Sequence, residues 1–447
     1  MILIITSLMI ALSAQSLVAD QTTFICASKK DQVKRTVCAI QVAKGVSVET
    51  DSVAQVLSKD LLLTDYFETS IKEDENPFSV RTCKQLFDEG ADFLIHVSQK
   101  KQKTWLRSLF FSELPDVEVV FARAHDGKVI FKTDIPANPV DRTDGVHKCA
   151  DKISEQALGL KSCFQSTLAW CEGGELLIGD PLGIISKPVV TGEKLVFAPT
   201  WHQTKPLLFY SKAAQARHVL RSINVVNGKK QLCVKGKGLN MQLIYNAEGD
   251  KSLMVMSGGK GNSELFISEK DIDSGEMVTH ALTKNRGTNS SPLFLPNGDI
   301  IFCSDFETRS PQLYYLYNKT KKTVRLTGAG GYCASPSYCP ESDSLVYTKP
   351  KNGIFQLYTL SLKGFDGKNY PRETQLTSDR GNKTDPVWHP NGLLVAFVYE
   401  FINTVGKQER QIALLNHRSK AIHVVTRGSG RKGFPAWIDK AWWHAQA

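Results

Sequence analysis

Asp385–Phe397 reads DPVWHPNGLLVAF. Two other stretches, SPLFLPNGDIIF from Ser291 and SPSYCPESDSLVY from Ser335, share its plan of Pro–x–aromatic, a turn, then an apolar run. Aligned on the first proline, the series extends to APTW at Pro199 and FPAW at Pro435. A degenerate copy, NMQLIYNAEGDKSLMVMS, places Met241 at the proline position. Successive spacings are 42, 51, 44, 50 and 49 residues, the length of one four-stranded propeller blade.

Each copy keeps one internal order. A short strand follows the proline, then a tight turn such as Pro296-Asn297-Gly298 or Pro390-Asn391-Gly392, where Asn and Gly tolerate positive φ. An apolar strand comes next, then one marked by Gln312-Leu313-Tyr314 or Gln356-Leu357-Tyr358, then one ending in Leu-Thr at 282–283, 326–327 and 376–377. A lone four-stranded sheet cannot bury both faces, so such units arrange radially. The last copy has residues for one strand only. STLAWC (Ser166–Cys171) and ELLIGD (Glu175–Asp180) have no blade of their own and are expected to complete it, closing the ring at six.

Before about Cys163 the periodicity is mixed. Strands are expected at Thr36–Val42, Asp92–Val97, Val117–Ala122 and Lys128–Lys132, the last two joined at Asp126-Gly127. Helices are expected at Ser52–Phe67 with Asp51 as N-cap, after Ser79 with Cys83, Leu86 and Phe87 on one face and Gly90 as the stop, and at Val146–Leu158 ending at Gly159. The expected architecture is multi-domain, α/β plus all-β: residues 1–19 a signal peptide, 20–162 a small N-terminal α/β domain, and 163–447 a six-bladed β-propeller.

With 447 residues, 42% hydrophobic and 22% charged, the chain has a globular composition and room for two or three domains. Met1–Ala14, MILIITSLMIALSA, is apolar, too short to span a bilayer comfortably, and followed by small residues at Ala14, Ser16 and Ala19. It reads as a secretory signal despite lacking a preceding Lys or Arg; a buried N-terminal strand is the alternative. No transmembrane span is expected in the mature chain. The net charge is +10, with basic residues scattered as Lys29-Lys30, Lys100-Lys101, Lys229-Lys230 and Lys321-Lys322. That reads as solvated surface rather than a nucleic-acid stripe, though it suits an acidic partner or a phosphate-rich envelope surface. The ten cysteines show neither CxxC nor zinc spacing; export would let some oxidise, in pairings the spacing leaves open.

The repeats resemble those of the TolB family of periplasmic Tol–Pal proteins. Pro386-Val387-Trp388-His389-Pro390-Asn391-Gly392 carries the family pattern well, and Pro292–Gly298 carries it with Leu295 in place of the usual serine. GFPAW (Gly433–Trp437) is similar to the family's closing strand, and ADFLIHVSQ (Ala91–Gln99) to part of its N-terminal domain. The resemblance implies a periplasmic, non-catalytic binding protein. In the family, a Pal-like peptidoglycan-associated lipoprotein docks on one propeller mouth and a TolA-like inner-membrane protein contacts the N-terminal segment, keeping the outer membrane intact and drawn inward at division. Here that segment, DQTTFICASKK (Asp20–Lys30), departs from the family pattern.

Chemistry-bearing motifs argue in the same direction. There is no G-x-S-x-G elbow. GGKG (Gly258–Gly261) lacks the hydroxyl residue of a phosphate loop, and DIDSGE (Asp271–Glu276) lacks a full calcium-ligand run. His202 and His389 each follow an inner-strand Trp and read as blade packing. No cofactor or metal is expected. The competing reading is an exported propeller hydrolase or lyase with a site in the channel, which would need an inward His/Asp/Glu cluster. The candidate binding residues are the polar ones just before the inner strands: Arg286, Asn289, Ser291, Arg380, Asn382, Lys383, Asp385, Arg431 and Lys432. They hold the same place in successive blades and are expected to emerge on one face, where loops of a ring bind partners.

Overall fold

The computed structural model describes residues 35–43, 48–74, 78–100, 116–161, 163–214, 217–234, 237–257, 261–271, 274–328 and 331–442. The signal-peptide run, Cys26, the Asp20–Lys30 segment, and parts of GGKG and DIDSGE lie outside these residues.

The N-terminal part is a five-stranded mixed sheet. Its strands are β1 (Thr36–Ala43), β2 (Phe67–Asp74), β3 (Phe93–Gln99), β4 (Val117–Arg123) and β5 (Val129–Ile135), in the order β2-β1-β3-β4-β5. Helices α1 (Val48–Leu63) and α3 (Pro139–Leu158) cover one face, where Val53, Leu57, Leu61, Val146 and Ile153 pack on Ile40, Ile95, Val119 and Phe121. Helix α2 (Val80–Asp88) covers the other through Cys83 and Leu86. Ser79 caps α2 as expected, its Oγ accepting the Thr82 N–H.

Three local expectations are corrected. Helix α1 starts at Val48, so Asp51 sits in its first turn, where a carboxylate favours the helix dipole. The helix stops at Leu63, and Phe67 opens β2, a strand hidden in the sequence behind the apolar run LLLTDYF. Phe87 is exposed instead of sharing the face of Cys83 and Leu86.

Six four-stranded sheets follow. Blade one is β9 (Val196–Trp201), β10 (Leu207–Ala214), β11 (Arg217–Asn224) and β12 (Lys230–Val234). Blade two is β13 (Asn240–Tyr245), β14 (Ser252–Met256), β15 (Glu264–Lys270) and β16 (Met277–Ala281). Blade three is β17 (Asn289–Phe294), β18 (Ile300–Ser304), β19 (Gln312–Leu316) and β20 (Thr323–Arg325). Blade four is β21 (Ala334–Cys339), β22 (Ser344–Lys351), β23 (Ile354–Ser361) and β24 (Glu373–Gln375). Blade five is β25 (Asn382–Trp388), β26 (Leu394–Ile402), β27 (Gln408–Asn416) and β28 (Ile422–Val424). Blade six joins the far end of the chain, β29 (Lys432–Ile438), to β6 (Thr167–Glu172), β7 (Glu175–Gly179) and β8 (Ser186–Val190). The closure is sealed by Trp437 Nε1 donating to Ser166 Oγ at 2.7 Å and by Trp442 N donating to Thr167 Oγ1 at 2.7 Å.

The repeated residues now have physical causes. Every inner strand carries a β-bulge at the dipeptide ending in the repeat proline. The first bulge residue has left-handed φ in all six blades: Ala198 (49°), Gln242 (57°), Ser291 (48°), Ser335 (53°), Asp385 (51°) and Phe434 (54°). Proline fits the second position because the interrupted ladder asks no N–H of it. In blade two this places Leu243, not Met241, at the proline position. The Leu-Thr signature is a clamp. Thr327 and Thr377, and Thr426 of the variant pair Val425-Thr426, each accept the backbone N–H of the facing third strand through Oγ1, and donate to Gln312, Gln356 and Gln411 of that strand.

Candidate functional site

The propeller has two unlike mouths. One carries the Pro-Asn-Gly turns and is partly covered by the N-terminal domain. Asn416 Nδ2 donates to the Leu63 carbonyl at 2.7 Å, Asn391 Nδ2 to the Lys161 carbonyl at 3.3 Å, and Leu63, Ala150, Cys163 and Phe164 share a core with Leu394, Leu414 and Trp437. Beneath this contact His147 of α3 is fully buried between two carboxylates, Asp60 Oδ2 of α1 at 2.8 Å and Asp180 Oδ1 of the β7–β8 turn at 3.4 Å. The other mouth is formed by the loops that link each outer strand to the next inner strand, opposite the contacts just named.

Arg286, Arg380 and Arg431 stand exposed on loops of this open mouth. Arg431 keeps one guanidinium nitrogen 3.9 Å from Glu400. Asn382 is half-buried and accepts the Phe355 N–H at 3.0 Å. Ser291 and Asp385 are bulge residues on the channel wall. The Ser291 N–H donates to Gln242 Oε1 at 3.0 Å, and Asp385 Oδ1 accepts Ser335 Oγ at 3.0 Å, so each stitches one blade to another. Burial raises the Asp385 pKa above the usual carboxylate value.

Asn289, Lys383 and Lys432 do not emerge on the loop surface as expected; all three are buried. Each stands three residues before a repeat proline and turns back to satisfy loop carbonyls. Lys383 Nζ donates to the carbonyls of Asp379, Arg380 and Gly381 at 2.8–3.0 Å. Lys432 Nζ donates to those of Arg427 and Gly428 at 2.8 and 3.1 Å, with Glu172 Oε1 at 3.0 Å. Asn289 Nδ2 reaches the Ser263 carbonyl at 2.9 Å and Glu264 Oε2 at 3.0 Å. Buried backbone acceptors require donors, and these side chains supply them. They therefore shape the loops that present the arginines.

The charge-based reading missed the apolar part of this mouth. Ile402 and Val405, on the β26–β27 hairpin, are 73% and 83% exposed. Phe434 is also exposed and lies 6.3 Å from the Phe197 ring, and exposed Tyr332 stands edge-on to Phe355. An apolar residue at a turn tip, as in Asn403-Thr404-Val405-Gly406, was the available signal. Behind the mouth runs a channel cavity of about 990 Å³, lined from Phe197 and Phe434 through Ser291 and Asp385 to Asn246 and Asn297.

Among the described residues no group of three His, Cys, Asp or Glu side chains is placed to hold a metal ion. His389 is buried, hydrogen-bonded through Nδ1 to Asn391 Oδ1 at 2.7 Å and edge-on to Trp437, and burial lowers its pKa to about 4. His202 stacks on Tyr245. Both pack blades. The nine described cysteines are free thiols, and all but Cys233 are buried.

Comparison with known proteins gives concordant results. The family model of the TolB β-propeller domain matches residues 156–440. A protein TolB homologue of Chlorobaculum tepidum is 29% identical over 112 residues, covering 25% of this chain and 25% of that protein. An uncharacterised protein of Agrobacterium fabrum is 28% identical over 142 residues, covering 30% of this chain and 47% of that one. The matched stretches thus span half or less of the length of these curated relatives. The crystal structure of TolB from Acinetobacter baumannii superposes with a TM-score of 0.74 at 17% identity, covering 93% of this chain and 98% of that one, a likeness of fold.

Proposed function

The chain belongs to the TolB β-propeller family, and from that premise we propose that it is a non-catalytic periplasmic adaptor of a Tol–Pal system. In this reading residues 1–19 direct export. The open mouth docks a Pal-like peptidoglycan-associated lipoprotein, and the N-terminal region engages a TolA-like inner-membrane protein. The bridge keeps the outer membrane attached and drawn inward during cell division. The observation that carries the reading is the open mouth itself: exposed Arg286, Arg380 and Arg431 around apolar Ile402, Val405 and Phe434, on the side away from the N-terminal domain. Buried, centrally placed anchors supply most of an interface's energy, while rim charges steer and select.

The test is calorimetric titration of the purified protein with the soluble domain of the cognate peptidoglycan-associated lipoprotein. Ile402→Ala/Val405→Ala/Phe434→Ala should weaken binding by at least about 30-fold, roughly 2 kcal/mol. Arg286→Ala/Arg380→Ala/Arg431→Ala should weaken it less and reduce its salt dependence. Lys205→Ala/Lys319→Ala/Lys322→Ala, on the turn side, should leave it unchanged. Loss with the turn-side set would misplace the mouth; no binding at micromolar concentrations would reject the function.

A further inference from the structure

Sorted by blade instead of along the chain, the positive charge is not scattered. Residues 181–239, which run from the outer strand of blade six through blade one, hold ten Lys and Arg and a single acid, Glu193. That net of +9 compares with +10 for all 447 residues. Every other blade ties a basic side chain to a carboxylate of its own: Lys251 to Glu269, Arg325 to Glu307, Lys349 to Glu373, Arg410 to Glu400 and Lys432 to Glu172. In blade one Glu193 is taken by Lys212 at 2.6 Å. Among the described residues Arg217, Lys229, Lys230 and Lys237 form no ion pair, and all four are exposed.

These residues line one edge. Strand β12 is the outermost of its sheet, five residues or about 17 Å long, and solvent-exposed along most of its length. Lys229 and Lys230 stand at one end, beside the β11–β12 turn. Arg217 and Lys237 stand at the other, where the His218 N–H donates to the Gly238 carbonyl at 3.0 Å. Between them Leu232 is 52% exposed, on the same sheet face as Lys230, and Val226 projects from the turn. Lysines on an edge strand discourage pairing with another sheet. That role calls for neither an exposed leucine and valine among them nor a blade almost without acids. Basic residues interleaved with exposed apolar ones are what an anionic lipid surface selects: charge attracts the headgroups and the apolar side chains enter the layer.

We propose that the outer edge of blade one docks on an anionic phospholipid bilayer, with Arg217, Lys229, Lys230 and Lys237 on the headgroup phosphates and Val226 and Leu232 in the headgroup layer. This surface is separate from the propeller mouth and does not depend on any lipoprotein partner.

The experiment is flotation of the purified protein with phosphatidylglycerol-containing vesicles and with pure phosphatidylcholine vesicles, at about 0.1 M salt, where the Debye length is near 10 Å. Binding is expected to the anionic vesicles only and to fall steeply with added salt. Each basic residue near such a surface contributes about fivefold, so Lys229→Glu/Lys230→Glu should weaken binding by at least about 25-fold. Val226→Ser/Leu232→Ser should weaken vesicle binding several-fold while leaving binding to inorganic polyphosphate, a soluble polyanion, untouched. Lys321→Glu/Lys322→Glu, an equal charge change on blade three, should have little effect. Absent or equal binding to the two vesicle types overturns the proposal without any variant. Equal losses from the blade-three change would overturn the location. Vesicle binding indifferent to Val226→Ser/Leu232→Ser would overturn the lipid and leave a soluble polyanion as the ligand.

Discussion

Replacing His147 with Gln should loosen the junction between the N-terminal domain and the propeller, and the loss should depend on pH in a way that identifies its cause. His147 is fully buried, stacked near Phe164, with Asp60 and Asp180 on either side. Burial alone disfavours the imidazolium, but the two carboxylates outweigh it and lift its pKa from 6.5 to about 10. A group whose folded pKa lies above its unfolded value stabilises fully below the unfolded pKa and loses that contribution as pH rises through the folded pKa. The window here is therefore pH 6.5 to 10, and the whole rise corresponds to about 5 kcal/mol at most. Burial also lifts the Asp60 carboxyl from 3.8 to about 6, which offsets part of this stabilisation above pH 6.

His147→Gln does more than remove the stabilising proton. It leaves two buried carboxylates without their cation, a loss of about 3–5 kcal/mol. Denaturant unfolding should be followed at pH 7.5 and 8.5 for the parent protein and the variant. In that interval the parent's unfolding free energy should fall about 1.4 kcal/mol more than the variant's, because one proton is bound in the folded and not in the unfolded state. Asp60→Asn in the His147→Gln background should restore part of the loss by removing one of the stranded charges. Equal slopes for parent and variant would refute the charged histidine, and equal stabilities would refute the junction as a stabilising contact.

Lys383→Met and Lys432→Met should each destabilise by about 3 kcal/mol, since both strand buried loop carbonyls and a carboxylate; a change below about 0.5 kcal/mol in denaturant unfolding would show that water replaces the ammonium. Deleting residues 432–447 should abolish cooperative unfolding and promote aggregation, because β6 then presents an open edge and blade six loses its inner strand; melting like the full chain would contradict the six-blade closure. Gly298→Ala and Gly392→Ala share the cost of positive φ, about 1 kcal/mol, but only at Gly392 would the new Cβ meet Cys339 Sγ, at 2.9 Å. Gly392→Ala should therefore lose more, and equal losses would mean that the Cys339 side chain moves aside.

What could be read before the structure divides along a physical line. Packing demands repeat, so they leave a period. The bulge needs the same proline, the clamp the same Leu-Thr and Gln, and the closure the orphan strands at Thr167–Gly179, so blades and ring were legible. Blade two hid its register because Leu243 fills the proline slot. There the bulge depends instead on Gln242, whose amide oxygen reaches the next blade, and that partnership has no one-chain pattern. Polarity proved ambiguous in the same way. A lysine before an inner strand reads as solvent-facing, yet Lys383 and Lys432 are buried because the loop folds three carbonyls or two around each ammonium. Three residues away, Arg380 remains exposed. Residue type cannot separate the two; position relative to the proline can, since Asn289, Lys383 and Lys432 all stand three residues before it. Among the remaining blades the slot holds Asn240, which is buried and donates to the His218 carbonyl at 2.8 Å, and the equally buried Val196 and Cys333, so burial holds in all six blades and a polar loop donor in four. The slot is thus a property of the blade, and the surface that remains for a partner consists of the residues outside it.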